Sequence, residues 1–141
     1  MCAKHAELPG RALAEYVSAV AGVMRMTPDA VWADSRPPAT AYLPLRHRCP
    51  EFPDRDLLLV WGEQDGWLIA AETEPSDEPV VVAYLGEDVL PAPDVVHRFV
   101  ADTAAGARPG QLQPPGFRTV GAHDDLADRL GAYLTAEAAV V

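Results

Sequence analysis

Apolar residues first recur at Leu13, Tyr16, Val17, Val20 and Met24, a spacing that puts one stripe along a helix from about Pro9 to Met26. Pro9 suits the first turn, where its missing N–H has no intrahelical partner to lose. Thr27, Pro28 and Asp29 then end the helix, because proline disfavours helical geometry in the residue before it. Val31, Trp32 and Ala33 read as a short extra strand. Ala39 to Leu45, ATAYLPL, reads as a longer one, with Pro44 arguing for an edge or a bulge because it cannot donate to a ladder.

Arg46 to Arg55 is an irregular loop, and the clearest pattern follows it. Leu57–Trp61 (LLLVW) and Trp67–Ala71 (WLIAA) flank Gly-Glu-Gln-Asp-Gly, which predicts a hairpin. A turn symmetric about Gln64 sets Trp61 opposite Trp67, Leu59 opposite Ile69 and Leu57 opposite Ala71. After an acidic turn at Glu74–Pro79, Val80–Leu85 supplies a further strand. Pro91 and Pro93 lead into a helix with its stripe at Val95, Val96, Phe99 and Val100, and Asp94 complements its positive start. Gly106–Gly116 is an aperiodic loop. A last helix spans about Ala122–Ala138, with Leu126, Leu130, Tyr133 and Leu134 inward and Asp124 and Asp125 in its first turn. The order predicts an α+β fold: an antiparallel meander of three to five strands with one N-terminal and two C-terminal helices, in a single domain over 1–141 with 1–8 as a flexible tail.

Alternation is missing where a half-exposed sheet needs it. The three central strands carry no charged residue, so both faces of the sheet require cover. Three coverings compete: helices on both faces, a second copy of the chain, or a small molecule in a pocket walled by the Trp pair.

Composition places the charge elsewhere. Across 141 residues, 21 Asp and Glu oppose 11 Lys and Arg, for a net charge of −10. An acidic shell repels phosphate backbones, which argues against nucleic acid as a partner. No stretch approaches the ~18 apolar residues of a membrane span, and Met1–Pro9 lacks a signal-peptide core, so the cytoplasm is the expected location. Cys2 and Cys49 read as free thiols. Many of the 14 prolines, among them Pro28, Pro37, Pro38, Pro53, Pro79, Pro91 and Pro93, mark the joints between elements.

Catalytic motifs are absent: no nucleophile elbow, no phosphate-binding loop and no dinucleotide fingerprint. His47 and Cys49 lack the further donors of a zinc site, and neither metal nor cofactor is expected. Asp54 and Asp56 precede the hairpin and Glu72 and Glu74 follow it, so these carboxylates gather at one end of the sheet. They read either as an acid–base cluster or as a solvated rim with an Arg55 ion pair. His97, one position off the apolar stripe of its helix, is a general-base candidate or an exposed helix residue. His123 near a helix start and His5 in the tail offer less. Trp61, Trp67, Tyr84 and Tyr42 are the candidates for contact with a ligand or partner. The Trp pair reads first as a cross-strand contact that pins the hairpin and second as a binding surface.

ATAYLPL, FPDRD, VWGEQDGWLIAAE, VVAYLG and VLPAPDVVHRFV together resemble a family of small acidic actinomycete proteins known only as a domain of unknown function. The resemblance covers roughly Tyr16 to Val100 and implies a bacterial cytoplasmic setting, with no catalytic residues to carry over. The element order is also similar to secretion-chaperone-like folds, whose members dimerise and bind partners. The expected function is a non-catalytic protein-binding or regulatory module, homodimeric. The alternative is a small enzyme or carrier of specialised metabolism that holds an apolar small molecule near the Trp61/Trp67 hairpin.

Overall fold

The computed structural model of the chain describes residues 8–26, 31–72 and 78–139. Along the chain run α1 (Gly10–Val23), β1 (Trp32–Asp34), β2 (Thr40–Pro44), β3 (Leu57–Gly62), β4 (Gly66–Ala71), β5 (Val80–Tyr84), α2 (Pro93–Ala104) and α3 (Leu126–Ala139). The strands form one sheet in sequence order, each antiparallel to the next, so the α+β meander expected from the pattern is the fold. Cys2, His5, the Thr27–Asp29 helix stop and Glu74 lie outside the described residues.

Pro9 sits one position earlier than expected. It is the extended N-cap (φ −68°, ψ 114°), and its carbonyl accepts the Leu13 N–H at 3.0 Å. At the other end α1 stops short of Met26. Arg25 takes a left-handed φ of 57°, and the Met26 N–H turns back to the Ala21 carbonyl at 2.9 Å, which closes the last turn. Met24 and Met26 still pack on the core, and this is why the apolar period outruns the helix.

Pro44 is not on an edge strand, because β2 lies between β1 and β3. The register shows why the sheet accepts it. Leu45 N–H bonds to Leu57 O, and Glu63 N–H to Ala39 O, so the odd-numbered residues of β2 face the β3 backbone and Pro44 faces the other way. On that side β1 reaches only as far as Tyr42, so the missing N–H has no strand to meet.

The hairpin has the expected register, Trp61 opposite Trp67 and Leu57 opposite Ala71. Gly66 turns it with φ +73°, and a side chain there would also crowd the Asp88 carbonyl (3.1 Å) and the Phe117 ring (3.3 Å). In β5 a bulge interrupts pairing between Ile69 and Ala70 of the neighbouring strand.

One face of the sheet carries the whole core. Leu57, Leu59, Trp61, Trp67, Ile69 and Ala71 are fully buried and cluster with Leu13, Tyr16, Val17 and Val20 of α1 and Val96, Phe99 and Val100 of α2. Trp67 Nε1 donates to the Tyr16 hydroxyl at 2.9 Å, and that hydroxyl donates to the Pro91 carbonyl at 2.6 Å. Burial pushes the Tyr16 phenol far above its usual range, against the opposing pull of the Trp67 hydrogen bond. Tyr133 of α3 meets the Tyr16 ring edge-on at 4.8 Å. That helix starts at Leu126, later than its sequence pattern implies, because Asp124 is used before it: its Oδ1 accepts the Leu126 N–H at 3.1 Å. All three helices therefore join the same core. Helices on both faces are not what forms among the described residues, and the two-sided apolar strands leave their second face open.

Candidate functional site

The register lines up one residue from each strand on that open face. Trp32 pairs with Tyr42, Tyr42 with Val60, Val60 with Leu68 and Leu68 with Tyr84. Side chains alternate strictly along a strand, so these five share the face turned away from the helices. None belongs to the core cluster. Trp32 is 49% exposed and Tyr42 40%, and their rings lie 5.1 Å apart. A second row, Pro44, Leu58, Ala70 and Val81, runs alongside it and is also without charge.

Charges flank these rows at the two ends of the strands. At one end Asp34 pairs with Arg36 at 2.9 Å, and that guanidinium holds the Asp34 carboxyl below its usual range. At the other Arg48 pairs with Asp56 at 3.1 Å. An apolar centre with a charged rim of both signs is the anatomy of a protein interface.

Of the candidates read from sequence, Tyr42 and Tyr84 come together on this row. Burial raises the Tyr84 phenol, and Asp65 adds to the shift. Trp61 and Trp67 are on the opposite side, fully buried, and Trp61 Nε1 donates to the Val89 carbonyl at 2.7 Å. Their indoles present no surface, so they pin the hairpin to the helices. Asp56 and Glu72 face each other where the Glu72 N–H meets the Asp56 carbonyl at 2.9 Å, and both are exposed, as is Asp54 in the preceding turn. Among the described residues Arg55 makes no ion pair: it donates to the Glu72 carbonyl at 3.3 Å, while Arg48 pairs with Asp56. His97 is exposed on α2, and no hydrogen bond or ion pair links it to those carboxylates among the described residues. Cys49 is a free, buried thiol. Among the described residues no group of three or more His, Cys, Asp or Glu is placed to hold a metal, and no helix is long and apolar enough to cross a membrane.

The tip of the hairpin holds chemistry that the pattern of residues did not announce. Glu63 is 1% exposed, and its carboxylate accepts N–H groups from Ala39 (2.9 Å) and Gly121 (3.0 Å) and from the Arg118 guanidinium. Arg118, itself buried, also grips Asp124 at 2.6 and 3.0 Å and donates to the Ala122 carbonyl. Burial pulls the Arg118 pKa down, and its bonds to Asp124 and Glu63 more than reverse this. Every group in the cluster is satisfied, so it works as a staple that fastens 116–124 to the hairpin and not as a reactive acid. A lone Glu at a turn reads as solvated, and its partner is 55 residues away.

A cleft of about 520 Å³ opens elsewhere, between Cys49–Glu51, Val82–Ala83 and the strap that follows α2. None of Trp61, Trp67, Tyr42 or Tyr84 lines it.

Residues 16–102 match the model of DUF6292, a family of unknown function. The chain belongs to that family. The match takes in the whole sheet and most of α1 and α2, so the open apolar row lies entirely within it. Arg118, which staples the hairpin tip, and the strap beside the cleft lie beyond it. No curated protein and no solved structure matches the chain.

Proposed function

We propose that this DUF6292 member is a non-catalytic protein-binding module that self-associates through the open face of its sheet. The observation that carries the reading is the row Trp32–Tyr42–Val60–Leu68–Tyr84, apolar across all five strands, exposed at Trp32 and Tyr42, and outside the core that the helices share with the other face. A second copy is the favoured occupant because the face complements itself. Each end of the strands offers both an acid and a base beside the apolar rows, so a twofold axis through the centre sets opposite charges within reach of each other.

Its size sets the strength. Five strands at about 4.8 Å spacing and five residues at about 3.3 Å rise span a footprint of roughly 400 Å². With side-chain relief and the rim this reaches the low end of specific interfaces, which fits a reversible dimer with a micromolar Kd. A bacterial, actinobacterial cytoplasmic setting belongs to the same reading. The secretion-chaperone-like element order points the same way by analogy.

Sedimentation velocity from low to high micromolar concentration tests the proposal. The wild type is expected to pass from monomer to dimer, and Leu68→Lys, which sets two cations against each other near the axis, to remain monomeric with an unchanged far-UV spectrum. A wild type that stays monomeric throughout, or a Leu68→Lys variant that dimerises as well as the wild type, overturns it.

A further inference from the structure

The cleft beside β5 has walls that the fold fixes and groups that the fold does not use. Its outer wall is the strap running from Gly106 to Leu112, held at three points. Gln111 and Tyr84 exchange two backbone hydrogen bonds, N–H to O at 2.8 and 2.7 Å, which extends the sheet by one residue. Gly110 (φ +77°) lies so close to the Tyr84 carbonyl that a Cβ would sit 2.0 Å from it, and at Gly106 (φ +93°) a Cβ would meet Pro50 at 3.1 Å. The cleft is therefore formed before any ligand arrives.

Inside, Cys49, Ala83 and Thr103 are buried, and the Thr103 hydroxyl is already bonded to the Phe99 carbonyl at 2.8 Å. The depth of the cleft thus offers apolar surface and a thiol. Two features sit on its rim. Leu112 is 77% exposed, far more than any other large apolar side chain among the described residues. Arg108 has no ion pair or hydrogen bond there, in a protein whose net charge is −10. Arg11, Arg25, Arg46 and Arg98 are likewise without a side-chain partner among the described residues, but Arg108 is the arginine that lines this cleft.

From this arrangement we infer that the cleft binds a small amphiphilic monocarboxylate, its apolar body between Ala83, Cys49 and Leu112 and its carboxylate on the Arg108 guanidinium. The volume, about 520 Å³, is in the range of small-molecule sites. Glu51 on the other lip, also without a partner, disfavours a second negative charge and so selects a monoanion. A planar guanidinium takes a carboxylate through two parallel hydrogen bonds. The inference does not depend on self-association, since the cleft is at the far side of β5 from the strands that carry Trp32 and Tyr42.

An NMR titration of the uniformly labelled full chain with octanoate, octanol and octylamine, each below its aggregation limit, tests it. The monomeric Leu68→Lys background separates the result from the dimer. Octanoate is expected to shift amides at 82–83 and 103–112 and to bind about fivefold tighter than octanol, with octylamine weakest. Arg108→Gln is expected to erase the preference for the acid and leave octanol unchanged. Leu112→Ser is expected to weaken acid and alcohol alike by about tenfold, from the lost apolar contact. Both positions are exposed, so both variants fold. No octanoate binding at millimolar concentration, equal affinity for acid and alcohol in the Leu68→Lys background, an unchanged preference in Arg108→Gln, or shifts confined to the Trp32–Tyr84 row each overturn the inference.

Discussion

Glu63→Gln is the sharpest test of how the two ends of this chain are joined. The substitution keeps the side-chain volume and removes one charge. In the native structure the carboxylate faces only donors: the Ala39 and Gly121 N–H groups and the Arg118 guanidinium. An amide has one acceptor oxygen, so its NH₂ must confront at least one of those donors in a site that is 1% exposed. An unsatisfied buried donor costs about 1–3 kcal/mol, and breaking a buried ion pair by removing one partner costs about 3–5 kcal/mol. Asp124 still pairs with Arg118, which holds the expected loss near the lower end, about 3 kcal/mol. For a domain with a total stability of about 5–15 kcal/mol that is a large fraction. Urea denaturation followed by the fluorescence of the buried Trp61 and Trp67 measures it, and hydrogen exchange at Gly121 and Ala39 locates it. Arg118→Met should cost a similar amount, and the double variant less than the two summed, because the second change no longer strands a charge. A loss below about 1 kcal/mol for Glu63→Gln with strict additivity in the double variant would refute the reasoning, since it would mean that the pair is solvated.

Three further outcomes follow from local geometry. Arg25→Gly should stabilise the protein by about 0.5–1 kcal/mol in the same assay, because Arg25 closes α1 at φ 57°, where glycine carries no steric penalty. Gly110→Ala should lose the strap, seen as faster exchange of the Gln111 and Tyr84 amides, since its Cβ would lie 2.0 Å from the Tyr84 carbonyl. The pH dependence has two limbs. Asp88 and Asp124 are held below the usual carboxylate range by hydrogen bonds from Arg129 and Arg118, so their contribution is present above about pH 4 and lost as pH falls through the folded pKa. Tyr16 is shifted upward by burial, so its contribution is present below about pH 10 and lost as pH rises beyond that. Tyr16→Phe should reduce the alkaline limb, to which Tyr84 and Tyr133 also contribute, and leave the acid limb unchanged, measured by denaturant midpoints from pH 3 to 11.

Local patterning determined a good deal about this protein. The Gly-Glu-Gln-Asp-Gly turn set the hairpin register, the 3.6-residue stripes placed three helices, and uncharged strands announced a sheet apolar on both sides. Those signals are legible because turn chemistry and periodicity act over a few residues. Periodicity also overran where apolar residues pack without being helical, as at Met26. What tertiary structure alone decided is which side each apolar residue serves. Trp61 and Trp67 had two readings, hairpin contact or binding surface, and are core; Trp32, in a three-residue strand, joined Tyr42 and Tyr84 on the open face. The same holds for the buried staple between Glu63 and Arg118 and for the cleft that sets Cys49 and Glu51 against Arg108 and Leu112. Each depends on segments brought together across tens of residues, and a charge's neighbours, unlike a helix's period, are not written beside it.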